Sequence, residues 1–349
     1  MNNILSYTPA ELKALMSEIG EPAYRAGQIF SQLHKGVTLD EMTNVGRATK
    51  EKLKARVDCT FPEIKRKLVS KLDGTVKYLF SLWDGNCIES VVMKYEHGYT
   101  ICISSQVGCR MGCKFCASTI AGRVRDLEAG ELLGQIISAQ RDLQIRISNV
   151  VMMGIGEPLD NYANVVKFLE LVNLPDGVNI GYRHISLSTC GVVPKIYELA
   201  KLNLPITLSI SLHAPDDETR SAIMPVNNTW GVDELLNACR DYYSVTERRL
   251  SFEYTLIAGK NDSVESASHL ARVLNSHLRS REGGMPIHVN LIPVNEVAES
   301  GFKSTARDAV RRFAAELEKR GIRATIRRTL GSDINASCGQ LRREDAQSD

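Results

Sequence analysis

The sequence is poor in aromatic residues and has no long hydrophobic run. Phenylalanine, tyrosine and tryptophan together make up 6% of its 349 residues. No apolar stretch approaches the ~20 residues that a membrane-spanning helix requires. The first residues carry no basic segment leading into an apolar stretch, which a secretory signal would need. We therefore expect a cytoplasmic protein that makes no contact with a membrane.

The chain also lacks a marked excess of charge of either sign. Hydrophobic residues make up 43% of the chain and charged residues 24%, and the formal net charge is +2. This ordinary composition excludes collagen-like, disordered and disulfide-scaffold proteins. The length favours about two domains. Nothing in the sequence indicates an obligate oligomer, so we expect a monomer.

Positive charge is nevertheless concentrated in two segments. Residues 47–71 contain nine lysines and arginines against three acidic residues, and residues 301–343 contain eleven against four. Two basic segments on a nearly neutral chain indicate a contact surface for a polyanion. Solvated helix faces would explain either segment alone equally well.

The order of apolar runs and helical patterns predicts an α/β fold. Residues 1–60 read as a helical accessory domain, and residues 61–98 as a small antiparallel β extension with turn signals between its strands. Within residues 99–300, helical patterns alternate with strands at 100–104, 148–153, 184–188, 206–212, 250–257 and 287–293. This alternation predicts parallel strands with helical crossovers in an open (β/α)6 partial barrel. Residues 301–349 hold a last helix and strand and a C-terminal segment.

Three of the nine cysteines form a motif directly after the first predicted barrel strand. Cys109, Cys113 and Cys116 have spacings of four and three residues, which bring three thiolates to one face of a loop. Thiolates are the ligands that iron–sulfur clusters require, and three of them leave one iron of a four-iron cluster open for catalysis. A zinc site is the alternative, but structural zinc requires four ligands, and no second cysteine or histidine pair completes one.

This motif, with Phe115 before its third cysteine, resembles that of the radical S-adenosylmethionine superfamily. The resemblance implies a [4Fe–4S] cluster whose open iron binds S-adenosylmethionine and whose electron splits it to a 5′-deoxyadenosyl radical. Polar residues at the later strand ends fit a cofactor pocket, and they are Gly156, Glu157, Ser188, Ser211, His213 and Asn295. A generic glycine turn and a structural histidine are the alternatives at Gly156 and His213.

Longer blocks narrow the resemblance to one family. Residues 104–119, 151–159, 211–215, 288–293 and 331–341 together look like the radical S-adenosylmethionine RNA adenine methyltransferases. These enzymes modify carbon 2 of an adenine in the peptidyl transferase centre of 23S rRNA and in the anticodon loop of tRNA. The similarity covers nearly the whole chain, including the helical N-terminal module. It implies 23S rRNA and tRNA as partners, RNA binding by the N-terminal helices, and flavodoxin or ferredoxin as electron donor.

The resemblance also implies the roles of three catalytic residues. Cys338 accepts a methyl group from one S-adenosylmethionine, and the radical from a second one removes a hydrogen from that methyl group. The carbon radical adds to adenine C2, Glu89 takes the C2 proton, and Cys102 attacks the sulfur to release methylated RNA with a disulfide. From the residues alone, Cys102 is equally a buried strand residue, and Glu89 equally a carboxylate on the solvent side of its strand.

Transfer from the family further assigns contacts with S-adenosylmethionine. The residues assigned to these contacts are Gly156, Glu157, Ser188, Ser211, Leu212, His213 and Asn295, with Leu212 contributing through its backbone.

Two other functions stay open at this point. A sister group methylates carbon 8 of the same ribosomal adenine, confers antibiotic resistance, and shares the cluster and both cysteines. Pro158 favours the C2 group, because the sister group tends to carry alanine there. A non-catalytic RNA-binding protein with a structural metal would have no use for a reactive Cys338.

The sequence departs from the family pattern at Ala121, where a glycine is expected. This difference affects the geometry of the loop and not the chemistry.

Overall fold

The protein begins with a module of three helices. The computed structural model describes residues 2–279, 284–294 and 301–336. The module contains α1 (Pro9–Glu18), α2 (Arg25–His34) and α3 (Arg47–Lys54). A capping box begins α1, because the Glu11 N–H donates to the Thr8 hydroxyl at 3.2 Å and the Thr8 N–H donates to the Glu11 carboxylate at 2.7 Å. Within the described residues, no helix is long and apolar enough to cross a membrane.

Four antiparallel strands follow the helical module. They are β1 (Glu63–Val69), β2 (Val76–Ser81), β3 (Cys87–Tyr95) and β4 (Gly98–Cys102). Each strand pairs with the next one along the chain. The turn before β3 is tightened by Asp84, whose carboxylate accepts from the Asn86 N–H at 3.1 Å.

The rest of the chain alternates strands with helices. After the hairpin of β5 (Gln106–Gly108) and β6 (Arg123–Asp126) come β7 (Ile147–Met152), β8 (Ile185–Thr189), β9 (Thr207–Ser211), β10 (Leu250–Leu256), β11 (His288–Pro293) and β12 (Arg323–Ile326). The helices are α4 (Ala129–Leu143), α5 (Tyr162–Asn173), α6 (Val193–Lys201), α7 (Asp217–Ile223), α8 (Val232–Thr246), α9 (Val264–Leu278) and α10 (Arg307–Lys319).

A ten-stranded sheet organises these elements. Its order is β1-β2-β3-β4-β7-β8-β9-β10-β11-β12, and all pairings from β4 onward are parallel. The predicted α/β partial barrel is therefore confirmed, and β12 adds a seventh parallel strand after the last helix. The sequence does not predict β5, β6 or α7. Three and four residues are too few for a clear strand alternation, and the seven residues of α7 span only about two helical turns.

The helical module is fixed to the barrel through α4. The Asn3 N–H donates to the Glu128 carboxylate at 2.7 Å, and the Gly130 N–H donates to the Ser6 hydroxyl at 2.8 Å. Gly130 lies in the first turn of α4, where glycine allows the N-terminal chain to approach the helix closely. The module and the barrel consequently share one hydrophobic core.

The segment after β12 crosses to the opposite edge of the sheet. The Ser70 hydroxyl and the Lys71 N–H, in the turn between β1 and β2, both donate to the Asp333 carboxylate, at 2.6 and 2.9 Å. The Gly331 N–H donates to the Asp73 carboxylate in the same turn, at 2.8 Å. These bonds bring together the two basic segments that lie far apart in the sequence.

The close approach at Gly130 gives a test of how the module docks. A Cβ atom there would lie 2.5 Å from Asn3 Oδ1 and 2.8 Å from the Ser6 nitrogen, whereas one at Gly27, on the exposed side of α2, would meet nothing within 4 Å. We expect Gly130→Ala to lower the free energy of unfolding by about 1–3 kcal/mol through overpacking. Gly27→Ala should raise it by about 0.5–1 kcal/mol, because alanine favours helix. Urea unfolding followed by circular dichroism measures both, and equal effects would contradict the docking geometry.

Candidate active site

A short loop after β5 holds the three motif cysteines in place. Gly108 has a φ of +79°, and a Cβ atom there would lie 1.9 Å from the Gly122 carbonyl oxygen. That close approach lets the Cys109 N–H donate to Gly122 O at 3.0 Å. The Cys116 N–H donates to Cys113 O at 3.0 Å, which closes the turn between the last two cysteines.

The three thiols line one cavity, of about 220 Å³, at the carboxyl ends of the parallel strands. We call it the cluster cavity, and its polar lining comprises Cys109, Cys113, Cys116, Thr119, Glu157, Ser188, Cys190, Ser211, His213, Glu253, Thr255 and Arg327. Burial raises the pKa of the Cys109 thiol to about 12 and that of the Cys113 thiol also above its ordinary value. Binding as thiolates therefore requires a strongly attracting cation, as a metal centre provides.

The number of thiols in the motif favours a cluster over structural zinc. Among the described residues, no three histidine, cysteine or acidic side chains form a group that could hold one metal ion. Structural zinc needs four ligands that converge on one point. A four-iron cluster binds each thiolate to a different iron, so its ligands stand further apart. The three motif thiols therefore fit an iron–sulfur cluster with one open iron.

The loop after β7 places Glu157 in the same cavity. Gly156 has a φ of +108°, and a Cβ atom there would lie 2.6 Å from Ser105 Oγ. The Glu157 carboxylate accepts from the Leu159 N–H at 3.0 Å and from the Cys190 N–H at 2.7 Å. Burial raises the pKa of Glu157, and these two hydrogen bonds act in the opposite direction. The carboxylate is thus fixed in orientation.

The ends of β8 and β9 add the predicted polar residues. Ser188 Oγ and Ser211 Oγ lie 3.5 Å apart on these neighbouring strands. Leu212 is fully buried, and its carbonyl accepts from Arg220 Nε at 3.0 Å. Its side chain does not line the cavity. Asn295 lies outside the described residues.

His213 is held rigidly beside the cysteine loop. It has a φ of +60°, its Nδ1 accepts from the Thr255 N–H at 2.9 Å, and its ring meets the Phe115 ring edge-on at 4.9 Å between centroids. Burial, with a contribution from Arg220, lowers the pKa of His213 to about 3. The imidazole is therefore neutral, and its remaining proton is on Nε2.

Glu89 and Cys102 share one face of the sheet. Val91 pairs directly with Cys102 and lies two residues from Glu89, so the three side chains point the same way. Glu89 is 2% exposed, which excludes the solvent-facing alternative. Its carboxylate forms an ion pair with Lys77, 3.1 Å between Nζ and Oε2.

Cys102 lines a second cavity, of about 240 Å³, which we call the Cys102 cavity. Its lining also includes Met93, Tyr95, Leu330 and Ala336. It shares with the cluster cavity the residues Phe115, Cys116, Met153, Thr255, Ile292 and Arg327. Cys338 lies outside the described residues, two positions after Ala336.

Comparison with known proteins identifies the family. Residues 103–271 match the radical SAM superfamily, and residues 2–58 match the ribosomal RNA large subunit methyltransferase N-terminal domain. A probable dual-specificity RNA methyltransferase RlmN from Clostridium novyi is 52% identical over 345 residues, which is 98% of each chain. One from Clostridium botulinum is 54% identical over 98% of this chain and 97% of that one. The chain belongs to the RlmN family of radical S-adenosylmethionine RNA methyltransferases.

A solved structure supports this assignment. A radical SAM methyltransferase from Sphaerobacter thermophilus is 39% identical and superposes with a TM-score of 0.91, covering 97% of this chain and 99% of that one. Membership of the RlmN family implies a [4Fe–4S] cluster and S-adenosylmethionine as cofactors. The three motif thiols fit the cluster, and the Glu157 carboxylate lies in the same cavity.

The sequence does not reveal three charged residues of the site. Arg220 on α7 is fully buried and donates to Cys190 O at 2.6 Å, to Asn227 Oδ1 at 2.9 Å and to Ser211 O at 3.1 Å. Glu253 on β10 and Lys77 on β2 are buried as well. Glu253 and Lys77 stand at strand positions that would equally suit a solvent-facing side chain. No sequence signal therefore distinguishes a buried charge from an exposed one at these positions.

The cluster assignment is tested by removing one ligand. We expect Cys113→Ala to lose iron, acid-labile sulfide and visible absorbance after anaerobic reconstitution, because two thiolates do not hold a four-iron cluster. Cys239→Ala is the matched control, since Cys239 is fully buried on α8 and lies outside the cluster cavity. Metal and sulfide analysis of both proteins decides, and a full cluster in Cys113→Ala would contradict the ligand set.

Proposed function

We propose that the protein methylates C2 of adenine in 23S rRNA, at the peptidyl transferase centre, and in the tRNA anticodon loop. The relatives from both Clostridium species carry the name of dual-specificity RNA methyltransferases. One observation carries the proposal: the cavity of the three cluster thiols shares six lining residues with the cavity of Cys102. The two cavities are therefore adjacent, so a radical formed in the cluster cavity would lie close to a group that reacts in the Cys102 cavity.

The cluster cavity binds S-adenosylmethionine in this proposal. When bound, the [4Fe–4S] cluster supplies the electron that cleaves S-adenosylmethionine to a 5′-deoxyadenosyl radical. Glu157 accepts from its ammonium group, and the close backbone approach at Gly156 holds the loop that carries Glu157 against Ser105 and Gln106. Ser188, Ser211, the Leu212 backbone, His213 and Asn295 complete the contacts. Neutral His213 donates through Nε2 and adds no charge beside the sulfonium.

Cys338 carries the methyl group and Cys102 releases the product. Two peptide units separate Cys338 from Ala336, which limits the distance between their Cα atoms to about 7 Å. Ala336 lines the Cys102 cavity, so the described chain ends beside Cys102 two positions before Cys338. This supports an attack of the Cys102 thiolate on the sulfur of Cys338 that ends in a disulfide.

Glu89 takes the proton from adenine C2. Its carboxylate is buried, so water does not compete for it, and the ion pair with Lys77 compensates the cost of burying its charge. It shares a sheet face with Cys102, the position a base needs when the adduct forms beside that cysteine. General bases of this kind contribute typically 10²–10⁴-fold to the rate.

RNA binds over the basic segments in this proposal. Residues 47–71 and 301–343 meet where Asp333 binds Ser70 and Lys71. Arg327 and Arg328 are exposed and line the Cys102 cavity. Cationic side chains at the entrance of the Cys102 cavity would neutralise the phosphates of an RNA whose adenine has left its stack.

We divide the chain into four units. The N-terminal domain (1–60) adds to the RNA-binding surface, and the β extension (61–98), the barrel (99–300) and the C-terminal segment (301–349) form the remaining units. Flavodoxin or ferredoxin supplies the electrons to a monomeric enzyme.

Mapping the methylated carbon tests the function. RNA from a strain that lacks the gene is hydrolysed to nucleosides and compared by mass spectrometry with authentic 2-methyladenosine and 8-methyladenosine. We expect 2-methyladenosine to disappear from both 23S rRNA and tRNA and to return on complementation. Loss of 8-methyladenosine instead would show the C8 reaction, which Pro158 disfavours. Unchanged RNA would contradict the proposal altogether.

The release step predicts a trapped intermediate. We expect Cys102→Ala to accumulate a covalent protein–RNA adduct on denaturing gels, because no thiolate remains to attack the sulfur. Cys87→Ala is the control, since Cys87 is a buried cysteine of β3 outside the Cys102 cavity. It should turn over without accumulating the adduct. Rapid release from Cys102→Ala would assign the resolving role to another group.

A further inference from the structure

We propose that Lys77 is a positioning residue that holds the base Glu89 and the C-terminal segment in one fixed arrangement. The inference rests on the proposed function, because it takes Glu89 as the proton acceptor and Cys338 as the methyl carrier. Lys77 belongs to neither the cluster motif nor the contacts with S-adenosylmethionine, and it acts through its contacts with Glu89 and Asn335.

The Lys77 ammonium lies between these two groups. Nζ is 3.1 Å from Glu89 Oε2 and donates to the Asn335 carbonyl at 2.8 Å. In the pairing of β2 with β3, Lys77 stands opposite Val91 and Glu89 stands opposite Leu79. Lys77 and Glu89 are therefore diagonal neighbours on one sheet face, within reach of a long side chain.

Burial makes the loss of either contact of the Lys77 ammonium costly. The side chain of Lys77 is 0% exposed and that of Glu89 is 2% exposed. Lysine is almost never fully buried unless it is paired, because an uncompensated ammonium is costly in the interior. If the C-terminal segment moved away, Nζ would lose a buried acceptor that water does not readily replace. The ammonium thus fixes the position of the Asn335 carbonyl relative to the Glu89 carboxylate.

The strands that carry Lys77 also hold the segment at other points. Asp333 accepts from Ser70 and Lys71, and Asp73 accepts from the Gly331 N–H, all in the turn between β1 and β2. These contacts fix the path of residues 331–335 up to three positions before Cys338. Lys77 adds the link from this path to the base.

Four variants of the reconstituted holoenzyme test the inference. They are Lys77→Met, Lys77→Arg, Glu89→Gln and the double variant K77M/E89Q. Lys195→Met is the control, since Lys195 pairs with Glu198 on the outer helix α6. Dithionite supplies electrons, and 5′-deoxyadenosine, methylated RNA and covalent adduct are measured together, with melting temperature and iron content for each protein.

We expect Lys77→Met to lower kcat for RNA methylation by roughly 10²-fold with KM for RNA unchanged, because a small misplacement of reacting groups costs this much. More 5′-deoxyadenosine should form per methyl group transferred, since radical formation itself is untouched. Lys77→Arg, which keeps the charge, should recover part of the rate. The double variant should form less covalent adduct per 5′-deoxyadenosine than Glu89→Gln does, because Lys77 also holds Asn335.

Three results would overturn the inference while Glu89→Gln is inactive, which leaves the proposed function standing. They are a normal kcat and a normal ratio of 5′-deoxyadenosine to methylated RNA in Lys77→Met, a parallel loss of iron content and radical formation there, and an equal yield of covalent adduct per 5′-deoxyadenosine in the double variant and in Glu89→Gln. The last would remove the link to the C-terminal segment. Normal methylation by Glu89→Gln would instead contradict the assigned base, and the role of Lys77 with it.

Discussion

The pairing of β3 with β4 is the constraint on which the site depends. It joins an antiparallel meander to a parallel barrel and places Val91 opposite Cys102. Because successive strand residues alternate between faces, a register slip by one residue would turn Glu89 away from Cys102. The same strand β4 pairs with β7, whose following loop carries Glu157. One strand therefore connects the residues proposed for proton transfer to those proposed for cofactor binding.

Buried charged residues at the carboxyl ends of the parallel strands are a second constraint on the structure of the site. Arg220, Glu157 and Glu253 are all nearly or fully inaccessible to water, and each is satisfied by hydrogen bonds. Arg220 donates to the carbonyls of Cys190, Leu212 and Ser211, so one cation fixes the ends of β8 and β9 together. In a low-dielectric interior such groups are costly to move. The cavity is thus prearranged for a charged ligand before one arrives.

Much of this architecture was open to prediction from the sequence. Six parallel strands and the helices between them follow from hydrophobic period, and the cysteine spacing predicts the cluster ligands. Lys77 was not open to prediction, because a lysine at an alternating strand position looks like a solvent-facing residue until the partner strand is known. The same holds for Glu253. Contact between Asp333 and Ser70 joins residues 263 positions apart, and no local pattern encodes such a pairing.

Chain connectivity links the proposed methyl carrier, Cys338, to the anchored segment that precedes it. Asn335 O is bound by Lys77, and three peptide units separate Asn335 from Cys338, so their Cα atoms are at most about 11 Å apart. Anchoring the segment at Gly331 and Asp333 removes conformational entropy when the fold forms, rather than at each turnover. Asn335 is held by the lysine that pairs with Glu89, and Ala336 lines the Cys102 cavity. In the proposed mechanism this anchored segment leads into the methyl carrier, so the entropic cost of bringing carrier, base and resolving thiol together falls largely on folding and not on catalysis.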